Sequence, residues 1–300
     1  MKGSLGPVFV AAACEGHFAG AGHPEGAGRV RAIVERVRGV DPAALREVTG
    51  ASLDSLERVH PREYLERLAA TAAAGGGRLD ADTVMNARSW DAALGSAGAA
   101  LAAVDSALRG VPAFAAGRPP GHHALAASAM GFCLVANVVV AAREAQARGA
   151  GRVLIIDWDV HHGNGTQALV EADRSIRFIS MHQWPHWPFS GAAGERGVGN
   201  VFNRPMRAGL APDRYVETLW SAVTLATTDW APDALLVSAG FDSMFGDPLG
   251  GFTLEPDHYA EWIGRLRTRF PATPLAAVLE GGYVPSRLAD GVAAVAAALA

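Results

Sequence analysis

Short apolar runs alternate with longer, alanine-rich stretches along most of this 300-residue chain. Short runs bounded by polar or glycine residues are typical of buried strands, whereas the longer stretches are typical of helices. The pattern predicts strands at Pro7–Ala12, Val111–Ala116, Arg152–Ile156, Ile176–Met181, Ala234–Ala239 and Leu275–Leu279. It predicts helices at Arg29–Val37, Pro61–Ala73, Trp90–Leu108, Leu134–Ala147, Pro212–Thr227 and Pro256–Arg269.

This alternation predicts the α/β class, as a single three-layer domain in which a mostly parallel sheet is flanked by helices. No long segment rich in proline, glycine or charge divides the chain, and Gly75–Gly77 is too short to be a linker. A chain of this length with half of its residues apolar can bury one large core. We therefore expect one domain over residues 1–300.

Polar clusters follow four of the predicted strands. They are Arg118–His123, Asp157–His161, Gly240–Asp242 and Glu280–Tyr283. Ligands of open parallel sheets bind at the carboxyl ends of the strands, so these clusters are expected to meet at one edge. Each cluster alone is a weak signal, and their common position carries the prediction of a site.

The densest cluster reads Asp-Trp-Asp-Val-His-His-Gly-Asn-Gly over residues 157–165. Strand alternation directs Asp157, Asp159 and His161 to the same side. A buried core does not accommodate such a group unless a cation neutralises it. With Asp242, the residues Asp159 and His161 would supply three metal ligands and leave the remaining positions to water and substrate, as catalytic zinc requires.

The other clusters complete a set of groups for amide hydrolysis. His122 and His123 offer imidazoles beside the water of that metal, one of which can act as general base and then as acid. Tyr283 follows a flexible glycine pair and can donate its phenol proton to an oxyanion. The chain has no Gly-x-Ser-x-Gly motif that would favour a serine nucleophile.

Composition excludes several other classes of protein. The net charge of −4 gives no electrostatic reason to expect nucleic acid as a partner. Cys14 and Cys133 form no paired framework, which favours a reducing compartment. The sequence has no apolar run of membrane length and no signal pattern. We therefore predict a soluble, cytoplasmic protein that acts on neither nucleic acid nor membrane.

Several motifs of the chain resemble those of the histone deacetylase superfamily, which has an arginase-like fold. They are RPPGHH at 118–123, GFC at 131–133, DWDVHHGNGTQ at 157–167, SAGFDSMFGDPLGG at 238–251 and LEGGY at 279–283. The likeness extends to His23-Pro-Glu25 with Arg29 and to residues 59–64, and so covers nearly the whole chain. The class II branch and its bacterial amidohydrolase relatives, including acetylpolyamine amidohydrolases, are the most similar.

The resemblance implies a zinc-dependent deacetylase and a role for each matching residue. Asp159, His161 and Asp242 match the zinc ligands, and Tyr283 matches the catalytic tyrosine. His122 and His123 match the tandem catalytic histidines, with His123 as the proton shuttle. Asp157 matches the carboxylate that orients His122, and Asn164 stands at the position of the partner of His123.

The resemblance also implies a substrate tunnel and two further features. Its wall and rim residues would be Gly131, Phe132, Phe189, Leu249 and Asp82. Asp157 and Ser180 match a structural potassium site. Arg29 matches an internal arginine associated with acetate exit.

Two positions differ among branches of the family. Asn164 stands where the class I branch has an aspartate, and an amide raises the pKa of an imidazole less than a carboxylate does, so His123 is expected to be less basic. Leu249 stands where polyamine-selective members tend to have a glutamate, which favours acyl-lysine substrates. The segment His182–Phe189, with two tryptophans and two prolines, favours slim cationic substrates instead.

Alternatives remain open from sequence. Acetylpolyamine or another small amide is the second substrate candidate, iron(II) fits the same ligands as zinc, and a homo-oligomer is compatible with the chain. An arginase-type ureohydrolase would need further ligands for a second metal. A metal-binding protein without turnover would not need Tyr283, His122 and His123. His162 is expected to point away from the ligands, and His182 and His186 either line the mouth or face water.

Overall fold

The computed structural model describes residues 4–300, and its centre is an eight-stranded sheet. Neighbouring strands of this sheet are parallel throughout, in the order β2-β1-β5-β10-β9-β6-β7-β8. β3 and β4 form a separate antiparallel pair. The strands are β1 (Val8–Val10), β2 (Leu45–Glu47), β3 (Gly76–Arg78), β4 (Val84–Asn86), β5 (Ala113–Ala115), β6 (Val153–Asp157), β7 (Ile176–Gln183), β8 (Val201–Met206), β9 (Ala234–Ala239) and β10 (Leu275–Leu279).

Helices cover both faces of the sheet. One core cluster joins the sheet to α1, α7, α8 and α9, and the other joins it to α4 and α5. The helices are α1 (Gly28–Val40), α2 (Leu53–Glu57), α3 (Arg62–Ala73), α4 (Ser89–Leu108), α5 (Asn137–Ala147), α6 (Asn164–Val170), α7 (Pro212–Ala226), α8 (Pro256–Arg269) and α9 (Pro285–Leu299).

Strand β9 shows why the central strands read as continuous apolar runs. Leu235 and Val237 pack into the core cluster that contains α7–α9, whereas Leu236, between them, packs into the cluster with α4 and α5. A strand covered on both faces buries every side chain, so no polar residue alternates with the apolar ones. The predicted α/β class, with three layers around a mostly parallel sheet, is confirmed.

Some elements match the sequence pattern to the residue, whereas others were not predicted. Strands β9 and β10 and helix α8 begin and end where the sequence pattern places them. Strand β2 was not predicted, because it is a three-residue edge strand with a largely exposed surface. Strand β8 was missed too, since its Asn203, Arg204 and Pro205 do not read as a strand; it lies at the other edge, where proline is tolerated.

The four central strands bring the polar clusters together. Strands β5, β10, β9 and β6 are consecutive in the sheet, and they lead into the clusters at 118–123, 280–283, 240–242 and 157–161 respectively. Since the strands are parallel, all four clusters emerge at the same edge. Among residues 4–300, no helix is both long and apolar enough to cross a membrane.

Candidate active site

Asp159, His161 and Asp242 converge at the carboxyl edge of the sheet. One side-chain atom of each lies within 4.8 Å of those of the other two, and all three residues are buried. The Nδ1 atom of His161 is 3.0 Å from Oδ1 of Asp159 and 3.3 Å from Oδ2 of Asp242. Two carboxylates and an imidazole at this spacing are a suitable donor set for a divalent metal ion.

The surroundings of these donors fit a cation. Oδ2 of Asp242 is buried without a hydrogen-bond partner, although its Oδ1 accepts from the Val160 N–H at 2.8 Å. Burial, together with the nearby charge of Asp159, raises the pKa of Asp242 to about 7. A buried, unpartnered oxygen and two crowded carboxylates are both stabilised when a metal ion is bound between them.

Two glycines provide the space that these carboxylates occupy. A Cβ atom at Gly240 would overlap the Asp159 carboxylate, and one at Gly281 would overlap the carboxylate of Asp242. The N–H of Gly281 donates to Oδ2 of Asp159 at 2.8 Å. Glycine is therefore required after β9 and β10, because the backbone there lies in close contact with the carboxylates of Asp159 and Asp242.

The tandem histidines have different hydrogen-bond partners. Nδ1 of His122 pairs with Oδ2 of Asp157 at 3.0 Å, and Nδ1 of His123 lies 2.7 Å from Oδ1 of Asn164. The Asn164 amide oxygen only accepts, so Nδ1 of His123 carries its proton and Nε2 has a free lone pair.

Charge separates the pKa values of these two rings. Burial disfavours the charged form of His122, but Asp159 and Asp157 outweigh it and raise its pKa well above the usual value. Burial, and then the charges of His122 and His161, lower the pKa of His123 well below the usual value. The pair therefore provides one imidazolium and one neutral imidazole at neutral pH.

Glu280 holds the chain segment that carries the two histidines, a contact that the sequence did not predict. Its Oε2 accepts from the N–H groups of Gly121 and His122 at 2.7 and 3.0 Å. Burial raises the pKa of this carboxyl to about 7. The sequence feature that could have predicted this contact is the position of Glu280 directly after β10, at the same edge as the other clusters.

A second buried charge network lies beside the histidine segment. The Arg118 guanidinium donates to both oxygens of Glu25 at 2.8 and 2.5 Å, and Nη1 of Arg29 donates to Glu25 at 2.9 Å. All three side chains are nearly inaccessible to solvent. Burial opposes ionisation of Glu25, but Arg118 and Arg29 outweigh it and hold its pKa below the usual value of 4.5.

Arg29 also contacts the turn that carries Tyr283. Its Nε donates to the carbonyl of Gly282 at 2.7 Å, its Nη2 donates to that of Glu280, and Cζ lies 5.1 Å from the centroid of the Tyr283 ring. Arg29, which the family resemblance associates with acetate exit, is thus a buried residue that is hydrogen-bonded to the turn before Tyr283.

A cavity of about 450 Å³ opens from this cluster. His123, His161 and Tyr283 border it, and so do the predicted residues Gly131, Phe132, Leu249 and Asp82. Gln183, His186 and Trp187, from the segment that the sequence placed at the entrance, line it too, as do Pro248, Gly250 and Gly251, which were not predicted.

Phe189, expected on the tunnel wall, is not among the residues that border the cavity. Its side chain is 70% exposed. The wall is formed instead by His186, whose ring stacks on His161 with centroids 5.0 Å apart, and by Trp187, which meets His123 edge-on at 4.7 Å. The assignment of Phe189 needs correction, because the loop turns back after Trp187, where Phe189 N donates to the carbonyl of His186.

The other predicted side chains lie nearby but away from the cavity. Asp157 and Ser180 are paired across strands β6 and β7, and both are fully buried. His162 points away from the ligands and bonds to Ser190 and Gln167. His182 is buried and bonded to Ser180, so it does not line the mouth.

Comparisons with known proteins agree with this site. Residues 23–299 match the histone deacetylase domain family. The chain is 39% identical over 279 residues to a histone deacetylase-like amidohydrolase of Pseudomonas aeruginosa, covering 88% of this chain and 73% of that protein. It is 36% identical over 286 residues to the human polyamine deacetylase HDAC10, covering 88% of this chain and 43% of HDAC10.

A solved structure matches the fold as well. The crystal structure of the HDA15 HD domain superposes with a TM-score of 0.92 at 34% identity, covering 99% of this chain and 88% of that one. The chain therefore belongs to the histone deacetylase family and has its arginase-like fold. This is a family of deacetylases and amidohydrolases that are in general metal-dependent.

Proposed function

We propose that this protein is a zinc-dependent amidohydrolase that removes acetyl and other short acyl groups from N-acylated amines, with acetyl-lysine favoured. The observation that carries the proposal is the position of three buried metal donors, with an unpartnered oxygen on Asp242, at a cavity that His123 and Tyr283 also border. Donor set, base and phenol at one cavity are what amide hydrolysis requires.

Asp159, His161 and Asp242 would hold the zinc ion, and iron(II) suits the same donors. When bound, the metal would polarise the amide carbonyl and make water more acidic. The two carboxylate ligands are oriented by backbone N–H groups, Asp242 by that of Val160 and Asp159 by that of Gly281, so their geometry does not depend on the substrate.

His123 is the proposed general base and acid. Its Nδ1–H is committed to Asn164, which leaves the Nε2 lone pair to take a proton from the attacking water. The lowered pKa of His123 keeps this ring neutral before the reaction. The same Nε2–H then protonates the amine as the amide C–N bond breaks.

His122 is proposed to stay protonated and to act through its charge. Asp157 accepts its Nδ1–H at 3.0 Å, and this buried carboxylate favours the imidazolium. A fixed positive charge close to the developing oxyanion stabilises it. Tyr283 is proposed to donate a hydrogen bond from its phenol to the same oxyanion, since it borders the cavity together with His123.

The cavity supports a slim substrate with an apolar chain. Phe132 and Gly131 border one part of it, and Leu249 places an aliphatic side chain where an acidic one would attract a second ammonium. Asp82, also on the cavity, is proposed to accept N–H groups of the substrate at the rim. These residues support acyl-lysine as the substrate.

Acetylpolyamine is the second candidate, and one observation favours it. Trp187 and His186 narrow the cavity, and aromatic faces attract ammonium groups. The human relative named as a polyamine deacetylase is consistent with this candidate. We further propose that Asp157 and Ser180 contribute to a structural potassium site and that Arg29 lies on the route by which acetate leaves.

The test is steady-state hydrolysis by zinc-loaded protein of an acetyl-lysine peptide and of acetylated spermidine, measured side by side. We expect a higher kcat/KM for the peptide, and loss of about 10²–10³ in kcat with Tyr283→Phe because one oxyanion donor is removed. Urea release from guanidino substrates is measured in parallel.

Each outcome decides between candidates. A preference for the polyamine would replace acetyl-lysine by acetylpolyamine as the substrate. Urea release without amide hydrolysis would show a ureohydrolase, and zinc binding with no turnover of any acylated amine would show a protein that binds without catalysis. Either of the last two results overturns the proposal.

A further inference from the structure

Asp247 is a buried carboxylate that none of the proposed catalytic steps uses. It lies between Asp242 and Leu249 on the segment that follows β9, and only 8% of its surface is exposed. A carboxylate that is removed from water in this way must be satisfied by hydrogen-bond donors. Its partners therefore indicate what it does.

Both oxygens of Asp247 accept hydrogen bonds from main-chain N–H groups. Oδ2 accepts from the N–H of Tyr283 at 2.7 Å, and Oδ1 accepts from that of Leu249 at 2.9 Å. Both partners border the cavity. One carboxylate thus connects the residue with the phenol to a residue of the cavity wall, although the two are far apart in sequence.

The hydrogen bond to Tyr283 fixes one end of a peptide group whose other end is fixed too. The carbonyl of the Gly282–Tyr283 peptide accepts from Nε of Arg29 at 2.7 Å, while its N–H donates to Asp247. A cationic donor at the oxygen and an anionic acceptor at the N–H both favour the same orientation of the peptide dipole.

This peptide needs such a constraint because it follows two glycines. Gly282 has φ of +115°, a conformation that residues with a Cβ rarely adopt. A glycine pair is intrinsically free to populate many other conformations, so its own backbone does not determine where the Tyr283 ring lies. The charged partners supply what the local sequence lacks.

The hydrogen bond to Leu249 extends this arrangement to His186, another residue that borders the cavity. The carbonyl of Leu249 accepts from Nε2 of His186 at 3.0 Å, and the His186 ring stacks on His161. A continuous set of hydrogen bonds therefore leads from the ring beside a metal donor, through Leu249 and Asp247, to Tyr283.

We propose that Asp247 is a positioning residue for the deacetylation reaction. By binding the main-chain N–H of Tyr283 it holds the phenol at the reacting carbonyl, and by binding that of Leu249 it fixes the position of the cavity wall relative to Tyr283. This inference rests on the proposed function. Asp247 makes no contact of its own with the reacting atoms in the proposal; it acts through Tyr283.

The first test is the variant Asp247→Asn, which keeps the size of the side chain but replaces one acceptor oxygen by an NH₂ group that faces an N–H. We expect kcat for the acetyl-lysine peptide to fall about 10²-fold, the effect of a small displacement of a catalytic group. KM should change less than about threefold, and the zinc content per chain should stay that of the wild type.

Asp41→Asn is the matched control. Asp41 likewise accepts from two main-chain N–H groups, those of Leu5 and Ala43, but lies outside the cavity. We expect Asp41→Asn to retain wild-type kcat. If Asp247→Asn retains wild-type kcat as well, or if both variants lose kcat equally, Asp247 is not a positioning residue.

A double-mutant cycle distinguishes positioning of Tyr283 from a general effect on folding. With an activated trifluoroacetyl-lysine substrate, Asp247→Asn should lower kcat less than about threefold in the Tyr283→Phe background, because the group that it positions is already gone. An equal fold-loss in both backgrounds would overturn the proposal.

If Asp247→Asn does not fold, Asp247→Glu takes its place in the same cycle. It retains both oxygens but displaces them by one methylene, so a partial loss of kcat that disappears in the Tyr283→Phe background is expected, and an unchanged kcat contradicts the inference. Absence of deacetylation by the wild-type protein would refute the proposed function, whereas a normal kcat in an Asp247 variant of an active enzyme refutes only this inference.

Discussion

The carboxylate oxygens of the proposed metal ligands differ in their hydrogen-bond partners. Oδ1 of Asp242 accepts from a backbone N–H and is thereby oriented, whereas Oδ2 accepts no hydrogen bond, although Nδ1 of His161 lies 3.3 Å away. Oδ2 of Asp159 accepts from Gly281. Backbone N–H groups therefore orient both carboxylates, Asp159 through its two oxygens and Asp242 through Oδ1, which is how precise metal sites are usually supported.

Leu249 allows a prediction about substrate choice at the same scale. A glutamate at this cavity position would attract the secondary ammonium of a polyamine, so we expect Leu249→Glu to raise kcat/KM for acetylated spermidine relative to an acetyl-lysine peptide by about tenfold, as one screened charge pair allows. The ratio of the two kcat/KM values is the measurement.

Leu249→Gln is the neutral control of similar size for this experiment. Because it adds polarity without charge, it should leave the ratio close to that of the wild type. An equal change in both variants would assign the effect to side-chain shape and would contradict an electrostatic role of this position.

At the scale of secondary-structure elements, the segment before α1 is joined to the segment after β5 by buried charges. Glu25 accepts two hydrogen bonds from Arg118, and Arg29 in the first turn of α1 bonds to the same carboxylate. Arg118 also donates to the carbonyls of Cys14 and His17. These bonds fix the start of the segment that carries the tandem histidines.

This network predicts a pH-dependent loss of stability. Replacement of Glu25 by Gln leaves two buried guanidinium groups without their anion, which should lower the free energy of unfolding at pH 7 by about 3–5 kcal/mol. The pKa of Glu25 in the folded protein lies below 4.5, so its contribution is present above pH 4.5 and is lost as the pH falls through the folded value.

Urea unfolding of the wild type and of Glu25→Gln at several pH values checks this expectation. The difference between them should be largest near neutrality and should shrink below pH 4.5. Glu15→Gln serves as the control, because Glu15 and Arg31 form an exposed pair that should contribute less than about 1 kcal/mol. Equal losses in the two variants would rule out a special role of the buried network.

At the scale of the whole molecule, the central strands β5, β10, β9 and β6 hold the site on a rigid base. Each strand is buried, and each leads into one of the polar clusters. The solved HDA15 domain superposes over 99% of the chain, so the same base is present in a relative that shares only a third of its residues.

Metal removal should therefore affect activity and global stability together. We expect a chelator to abolish deacetylation and to lower the thermal midpoint, and zinc to restore both, since an ion bound only by the folded state stabilises it by about 2.7 kcal/mol at a hundredfold excess over Kd. Differential scanning fluorimetry with zinc titration measures this shift.

The matched variant for that titration is Asp242→Asn, which removes one of the three proposed ligands. Its thermal midpoint should respond to zinc far less than that of the wild type. A wild-type response in this variant would mean that zinc binds elsewhere.

Much of the fold was predictable from sequence, because strands buried on both faces must be apolar at every position. Strands such as Leu275–Leu279 have this local signature. The positions of Asp159, His161 and Asp242 could be predicted as well, because these residues follow strands of the same kind. The missed strands β2 and β8 lie at the two edges of the sheet, where exposure weakens the hydrophobic pattern.

The family of this protein follows from its sequence alone, since the types and order of the clustered residues resemble those of the histone deacetylase superfamily, and the family match over residues 23–299 confirms it. Only the tertiary structure decided which aromatic groups border the cavity: Trp187 and His186 do, and Phe189 does not. Only the structure brought Asp247 to Tyr283 and Glu280 to His122. These contacts depend on how loops turn after the strands end, and loop geometry is set by long-range packing and hydrogen bonding that no local pattern encodes.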